Sequence, residues 1–85
     1  MSQITDRIAP LAQVEELIRD VPDFPKPGII FKDITPLLGH AKGFALAIDL
    51  MAADLGDLKP DYIVGTESRG FIFGAALAYK LGAGF

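Results

Sequence analysis

The stretch Thr66-Glu67-Ser68-Arg69-Gly70 concentrates the groups in this sequence best suited to hold an anion. Arg69 brings a permanent positive charge and a planar fork of donors that matches a phosphate edge. Gly70 lets main chain approach a ligand closely. The run Val64 to Gly74 leads from a buried strand, Tyr62 to Val64, through this polar turn into an apolar helix. In a parallel sheet such a turn lies at the carboxyl end of a strand, where open α/β folds place their ligands. The first amides of a helix have no intrahelical partner, and the helix dipole adds partial positive charge there. The pattern therefore points to a phosphate or pyrophosphate site. A plainer reading also stands: a strand-to-helix connection capped by Ser68, with Arg69 a surface ion-pair partner worth ~0–1 kcal/mol.

The second cluster is bracketed by prolines and runs Asp23-Phe24-Pro25-Lys26-Pro27-Gly28-Ile29-Ile30-Phe31-Lys32-Asp33-Ile34-Thr35-Pro36. It reads either as an irregular connection with Phe24 and Phe31 in the core, or as a rigid flap over a flat aromatic ligand. Prolines reduce the entropy lost in holding such a segment in shape. A phenyl ring stacks on a nucleobase for about 1–3 kcal/mol. His40 has no second histidine or cysteine to work with and reads as an exposed residue near a helix start. Asp54, Asp57 and Asp61 surround a helix end and a turn and read as solvated. Gly82-Ala83-Gly84 does not open a helix after a strand, so it is no dinucleotide fingerprint.

The elements that must position these clusters follow from periodicity. Ala9 to Arg19 reads as an amphipathic helix with Pro10 in its first turn, Leu11, Val14, Leu17 and Ile18 on one face, and Glu15, Glu16 and Arg19 in water. Pro22, Pro25, Pro27 and Pro36 forbid regular helix across Val21 to Pro36. Inside that stretch Gly28 to Ile34 reads as a short strand, Ile30 and Lys32 facing opposite to Phe31 and Asp33. Gly43 to Leu55 forms the next helix, ended by Gly56. Asp61 to Gly65 is a short, nearly all-apolar strand of the kind covered on both faces. A further helix runs from about Gly70 to Leu81, capped by Gly82, and Ala83-Gly84-Phe85 approaches another strand.

Composition sets the outer limits. Eighty-five residues make one small domain at most, and 51% apolar content argues against disorder. With no cysteine and one histidine, disulfide frameworks and thiolate metal sites are excluded and a zinc site is poorly supplied. A net charge of −3 with no basic stripe disfavours nucleic acid. No segment reaches membrane-spanning length, and the opening Met-Ser-Gln-Ile-Thr-Asp lacks a leader-like layout, so the chain is expected to be cytoplasmic. One clear core strand, its helix and an incipient next strand would leave sheet edges open. The chain is accordingly expected to be the N-terminal part of a larger α/β protein: one incomplete domain, 1–85, with an N-terminal helix and flap over 1–38 and the start of the α/β core over 39–85.

Together, the two clusters resemble the adenine phosphoribosyltransferases, which are type I phosphoribosyltransferases. The likeness rests on Val21 to Leu38, Val-Pro-Asp-Phe-Pro-Lys-Pro-Gly-Ile-Ile-Phe-Lys-Asp-Ile-Thr-Pro-Leu-Leu, on Gly65 to Gly74, and on the helix and distance between them. It implies the N-terminal part of a type I phosphoribosyltransferase fold, a parallel sheet flanked by helices with an N-terminal hood. It also implies transfer of a 5-phosphoribosyl group from phosphoribosyl pyrophosphate to adenine, giving AMP and pyrophosphate, with magnesium required and its ligands unassigned. Phe31 would stack on adenine, and the main chain of Ile30 and Lys32 would read the purine edge. Glu67, Ser68, Arg69 and Gly70 would form the pyrophosphate loop, with a cis peptide at Glu67–Ser68. Lys32 stands where many members have arginine, a change that a main-chain contact tolerates. The family's paired acids with a Thr-Gly-Gly-Thr turn, and its mobile loop with an acid/base glutamate, are not among these residues. No catalytic residue is thus expected here, and the isolated chain is expected to be inactive. A homodimer is implied for the longer protein. The rival class is a non-catalytic module binding purine or phosphoribosyl pyrophosphate; the flap at Ile30, Phe31 and Lys32 favours the enzyme.

Overall fold

The computed structural model describes residues 3–85; Met1 and Ser2, part of the stretch read for a leader, lie outside it. The chain divides into two compact units, Met1–Ala47 and Ile48–Phe85.

The first unit opens with α1, Gln3–Glu16. This helix begins well before the expected Ala9, and Pro10 lies inside it rather than in its first turn. No glycine or second proline interrupts Gln3 to Ala9, so the helix extends past the position that proline prefers, at the cost of one internal hydrogen bond. At its other end Leu17 and Ile18 donate three residues back, to Val14 and Glu15, in a tightened last turn. Arg19 then leaves the expected helix to open β1, Arg19–Pro22.

β1 pairs antiparallel with β2, Ile30–Asp33, in the register Arg19↔Asp33, Asp20↔Lys32, Val21↔Phe31 and Pro22↔Ile30. The alternation expected for β2 holds: Ile30 and Lys32 are exposed, Phe31 and Asp33 half-buried. Ion pairs join both faces of the ribbon, Arg19 with Asp33 at 2.7 Å and Lys32 with Asp20. The connection is braced by Asp23, whose φ of 58° is tolerable for aspartate, and whose Oδ1 accepts from the Gly28 amide at 3.0 Å. Gly28 takes a φ of 87° there, and the Phe24–Pro25 peptide is cis.

Pro36 does not merely interrupt structure. It sits in the first turn of a one-turn helix, α2, Thr35–Leu38, where a missing N–H costs nothing. Leu37 of α2 is the most deeply buried side chain described, 2% exposed. The following α3, Ala41–Asp54, is preceded by His40. The His40 carbonyl accepts from Phe44 at 2.8 Å and its Nδ1 accepts from Gly43 at 2.9 Å, so the exposed imidazole does the work of a helix cap. Leu17 packs against Gly43, where any Cβ would meet its Cδ1.

The second unit holds the rest of α3 and α4, Arg69–Leu81. Gly56, with φ 58°, follows α3 as expected. Gly82, left-handed at φ 71°, closes α4 by donating to Ala78 and Tyr79. Ile48, Leu77 and Ala78 are buried in this unit, and Lys80 pairs with Asp49 at 2.8 Å. Residues 61–65 do not form the expected doubly covered strand. They make one parallel bridge, Tyr62↔Gly84, with Ile63 donating to Gly84 and Gly84 to Asp61. Tyr62 and Val64 are 75% and 91% exposed. A strand's faces are covered by what packs beside it, and among the described residues only the Gly84 segment pairs here. That pairing bears out the reading of Ala83-Gly84-Phe85 as the approach to a strand.

Candidate functional site

In the first unit, Ile30, Phe31 and Lys32 all lie on β2. Along one strand, main-chain groups point alternately to its two edges, so those of Ile30 and Lys32 share an edge while Phe31 uses the other. The Lys32 ammonium is engaged by Asp20 across the ribbon, which leaves its main chain as the part suited to reading a ligand. Phe31 meets Phe24 edge to face, ring centroids 5.4 Å apart. The two rings, with Arg19, Val21 and Asp33, line a groove of about 250 Å³. An aromatic ring fixed by a perpendicular neighbour is a stiff platform for a flat ligand.

Asp33 anchors the end of that strand. Its carboxylate accepts from the Thr35 amide at 2.9 Å, the Thr35 hydroxyl at 2.8 Å, and the Arg19 guanidinium at 2.7 and 3.1 Å. Led by the Thr35 amide, these bonds stabilise the charged form and lower its pKa from the ordinary 3.8 to about 2. Sequence reasoning placed Asp33 on the face opposite Ile30 and gave it no role. The signal was there in Asp33-Ile34-Thr35, the spacing at which an aspartate caps the amide two residues on.

In the second unit, Glu67, Ser68, Arg69 and Gly70 follow one another around the entry to α4, the first three exposed. The Glu67–Ser68 peptide is cis, as the resemblance implied. Ser68 occupies the N-cap position, yet its side chain makes no cap hydrogen bond. This removes the plainer account of Ser68 as a helix cap; its carbonyl instead accepts from Phe71 at 3.1 Å. At the base of the loop the main chains of Gly65 and Gly70 come into contact, closer than any side chain would permit. The loop thus presents a cation, a hydroxyl and helix-start amides on an exposed, sharply folded turn, a set of donors matched to an anion. Among the described residues no three His, Cys, Asp or Glu side chains gather as a metal site. No described helix is long and apolar enough to cross a membrane.

No family model matches the chain. Among curated relatives, the adenine phosphoribosyltransferase of Microcystis aeruginosa is 61% identical over 74 residues, which cover 85% of this chain and 43% of that protein. The crystal structure of the adenine phosphoribosyltransferase from Thermoanaerobacter pseudethanolicus superposes with a TM-score of 0.83 at 53% identity, covering 88% of this chain and 45% of that one. The Saccharomyces cerevisiae enzyme, crystallised with an imino-altritol bisphosphate and adenine, gives a TM-score of 0.78 at 40% identity, covering 88% of this chain and 48% of that one. The chain therefore has part of the fold of these type I phosphoribosyltransferases, and spans less than half the length of the relatives it matches.

Proposed function

We propose that this chain supplies the adenine-side flap and the pyrophosphate loop of an adenine phosphoribosyltransferase, the family it is similar to along 85% of its length. The reaction would move the 5-phosphoribosyl group of phosphoribosyl pyrophosphate to N9 of adenine, releasing pyrophosphate and forming AMP, a purine-salvage step. The observation that carries this reading is the extent of the identity. A match over 85% of the chain leaves about 13 of its residues outside, so both the flap and the loop fall within it wherever it begins.

The residues supply physical reasons for each role. Phe31, held edge-on by Phe24, would stack on the purine. Main-chain groups of Ile30 and Lys32 would read its edge, where adenine offers an amino donor beside ring-nitrogen acceptors. A 6-oxo purine would leave a polar group unpaired there, at about 1–3 kcal/mol. Glu67, Ser68, Arg69 and Gly70 would receive the leaving pyrophosphate. As the anomeric C–O bond breaks, negative charge accumulates on that group, so the Arg69 cation and fixed amides would act most strongly in the transition state.

The described residues offer no carboxylate cluster to hold magnesium by themselves. Magnesium would arrive with the phosphates of the substrate. The longer protein is proposed to be cytoplasmic and, as the resemblance implies, a homodimer. The test is a chimaera that continues this chain with the remaining length of the Microcystis aeruginosa relative. Adenine-dependent AMP formation is expected from the chimaera and none from the chain alone; a folded chimaera that binds adenine but forms no AMP would sink the reading.

A further inference from the structure

The loop between the first described strand-like segment of the second unit and α4 is closed at its base by two glycines. A Cβ on Gly65 would fall 2.3 Å from the Gly70 carbonyl oxygen, 2.7 Å from its carbonyl carbon and 3.2 Å from its Cα. The reverse contact is looser: a Cβ on Gly70 would lie 3.1 Å from the Gly65 carbonyl carbon and 3.2 Å from its Cα. Both obstacles are main chain, which cannot rotate aside as the tip of a side chain can. Neither glycine has the positive φ that would explain its type by backbone freedom. Close approach is the physical reason left for both.

We infer that Gly65 is a positioning residue for anion binding, setting the geometry of a loop it does not itself complete. The inference rests on the pyrophosphate-loop reading above and extends it to a residue outside the four assigned to the loop. Both ends of the loop are tied down. Upstream, Ile63 donates to Gly84 at 2.8 Å; downstream, Gly70 is already in the first turn of α4. The intervening Thr66, Glu67, Ser68 and Arg69 must therefore fold back within the distance that Gly65 and Gly70 allow. Restoring ordinary contact at 3.4 Å around a Gly65 methyl would part the two backbones by about 1 Å. A hydrogen bond to an anion made at about 2.9 Å does not survive that displacement. The Gly70 methyl asks for a few tenths of an ångström only.

The two substitutions should therefore differ in degree. Titration calorimetry of the chain with inorganic pyrophosphate and magnesium is the probe, with adenine binding as the internal control. Gly65→Ala should weaken pyrophosphate by about 10- to 100-fold, the equivalent of one hydrogen bond to a charged group, and leave adenine within about twofold. Gly70→Ala should weaken pyrophosphate distinctly less. Equal pyrophosphate affinity in Gly65→Ala and the unsubstituted chain overturns the inference alone, as does a parallel loss of adenine binding. If the unsubstituted chain binds adenine but no pyrophosphate, the loop reading falls and takes the inference with it. Should Gly65→Ala fail to fold by far-ultraviolet circular dichroism, Gly70→Ala decides: a selective pyrophosphate loss of less than about tenfold, the size its looser contact allows, supports the closed base, and either no loss or a larger one overturns it.

Discussion

At the scale of single residues, Phe31 and Asp33 divide the labour on one face of β2. Phe31 offers a ring whose orientation Phe24 fixes, while Asp33 holds the end of the strand to both Arg19 and Thr35. Replacing Phe31 by alanine should remove a stacking contribution of about 1–3 kcal/mol from adenine binding and leave pyrophosphate affinity unchanged. Equal losses for the two ligands in paired titrations would remove the stacking role. For Asp33 the sign follows from its depressed pKa. The carboxylate is held charged in the folded state, so its stabilising effect is complete above pH 3.8 and is lost as the pH falls toward about 2. Chemical denaturation at a series of pH values should show this loss in the native chain. Asp33→Asn should flatten the profile over that window.

Helix starts are set by local donors and acceptors, and at the scale of elements three of them use different devices. Asp33 serves α2 through an aspartate turn, His40 serves α3 through Nδ1, and Ser68 precedes α4 without a side-chain cap. The second is unusual, since histidine is not among the favoured capping residues. His40→Ala should cost about 0.5–2 kcal/mol in thermal or denaturant unfolding, and His40→Asn should recover most of it. A neutral alanine substitution would mean that the Gly43 amide finds water without penalty. Helix periodicity foretold α3 and α4 closely, Gly43 to Leu55 against Ala41–Asp54 and Gly70 to Leu81 against Arg69–Leu81. It failed at Arg19, because pairing with Asp33 across the ribbon outweighs one more turn of α1.

Across the whole molecule, the second unit leaves a strand-like segment open. Tyr62 and Val64 stand 75% and 91% exposed on a stretch whose described pairing is a single bridge to Gly84. Open apolar edges invite pairing with another chain. The chain alone should therefore associate with rising concentration in light scattering, and Val64→Lys should shift it toward monomer. Unchanged association in Val64→Lys would place the contact elsewhere. The same exposure explains how an all-apolar run misled the reading of 61–65. A run of Tyr62, Ile63 and Val64 records that a strand is suited to burial on both faces, but burial itself depends on neighbours.

What the sequence determined by itself is local. Proline and glycine placement delimited the flap and closed α3 and α4, helical spacing located those two helices, and alternation assigned the faces of β2, because each depends on groups a few residues apart. The two motifs, by type and order, also carried the resemblance to the adenine phosphoribosyltransferases. Only tertiary structure decided the rest. It paired β1 with β2, turned Phe24 against Phe31, set Arg19 on Asp33, and brought Gly65 onto Gly70. Each of these is a meeting of surfaces whose partner no local pattern specifies. Register, ring orientation and the approach of two backbones come from packing, and packing belongs to the folded chain.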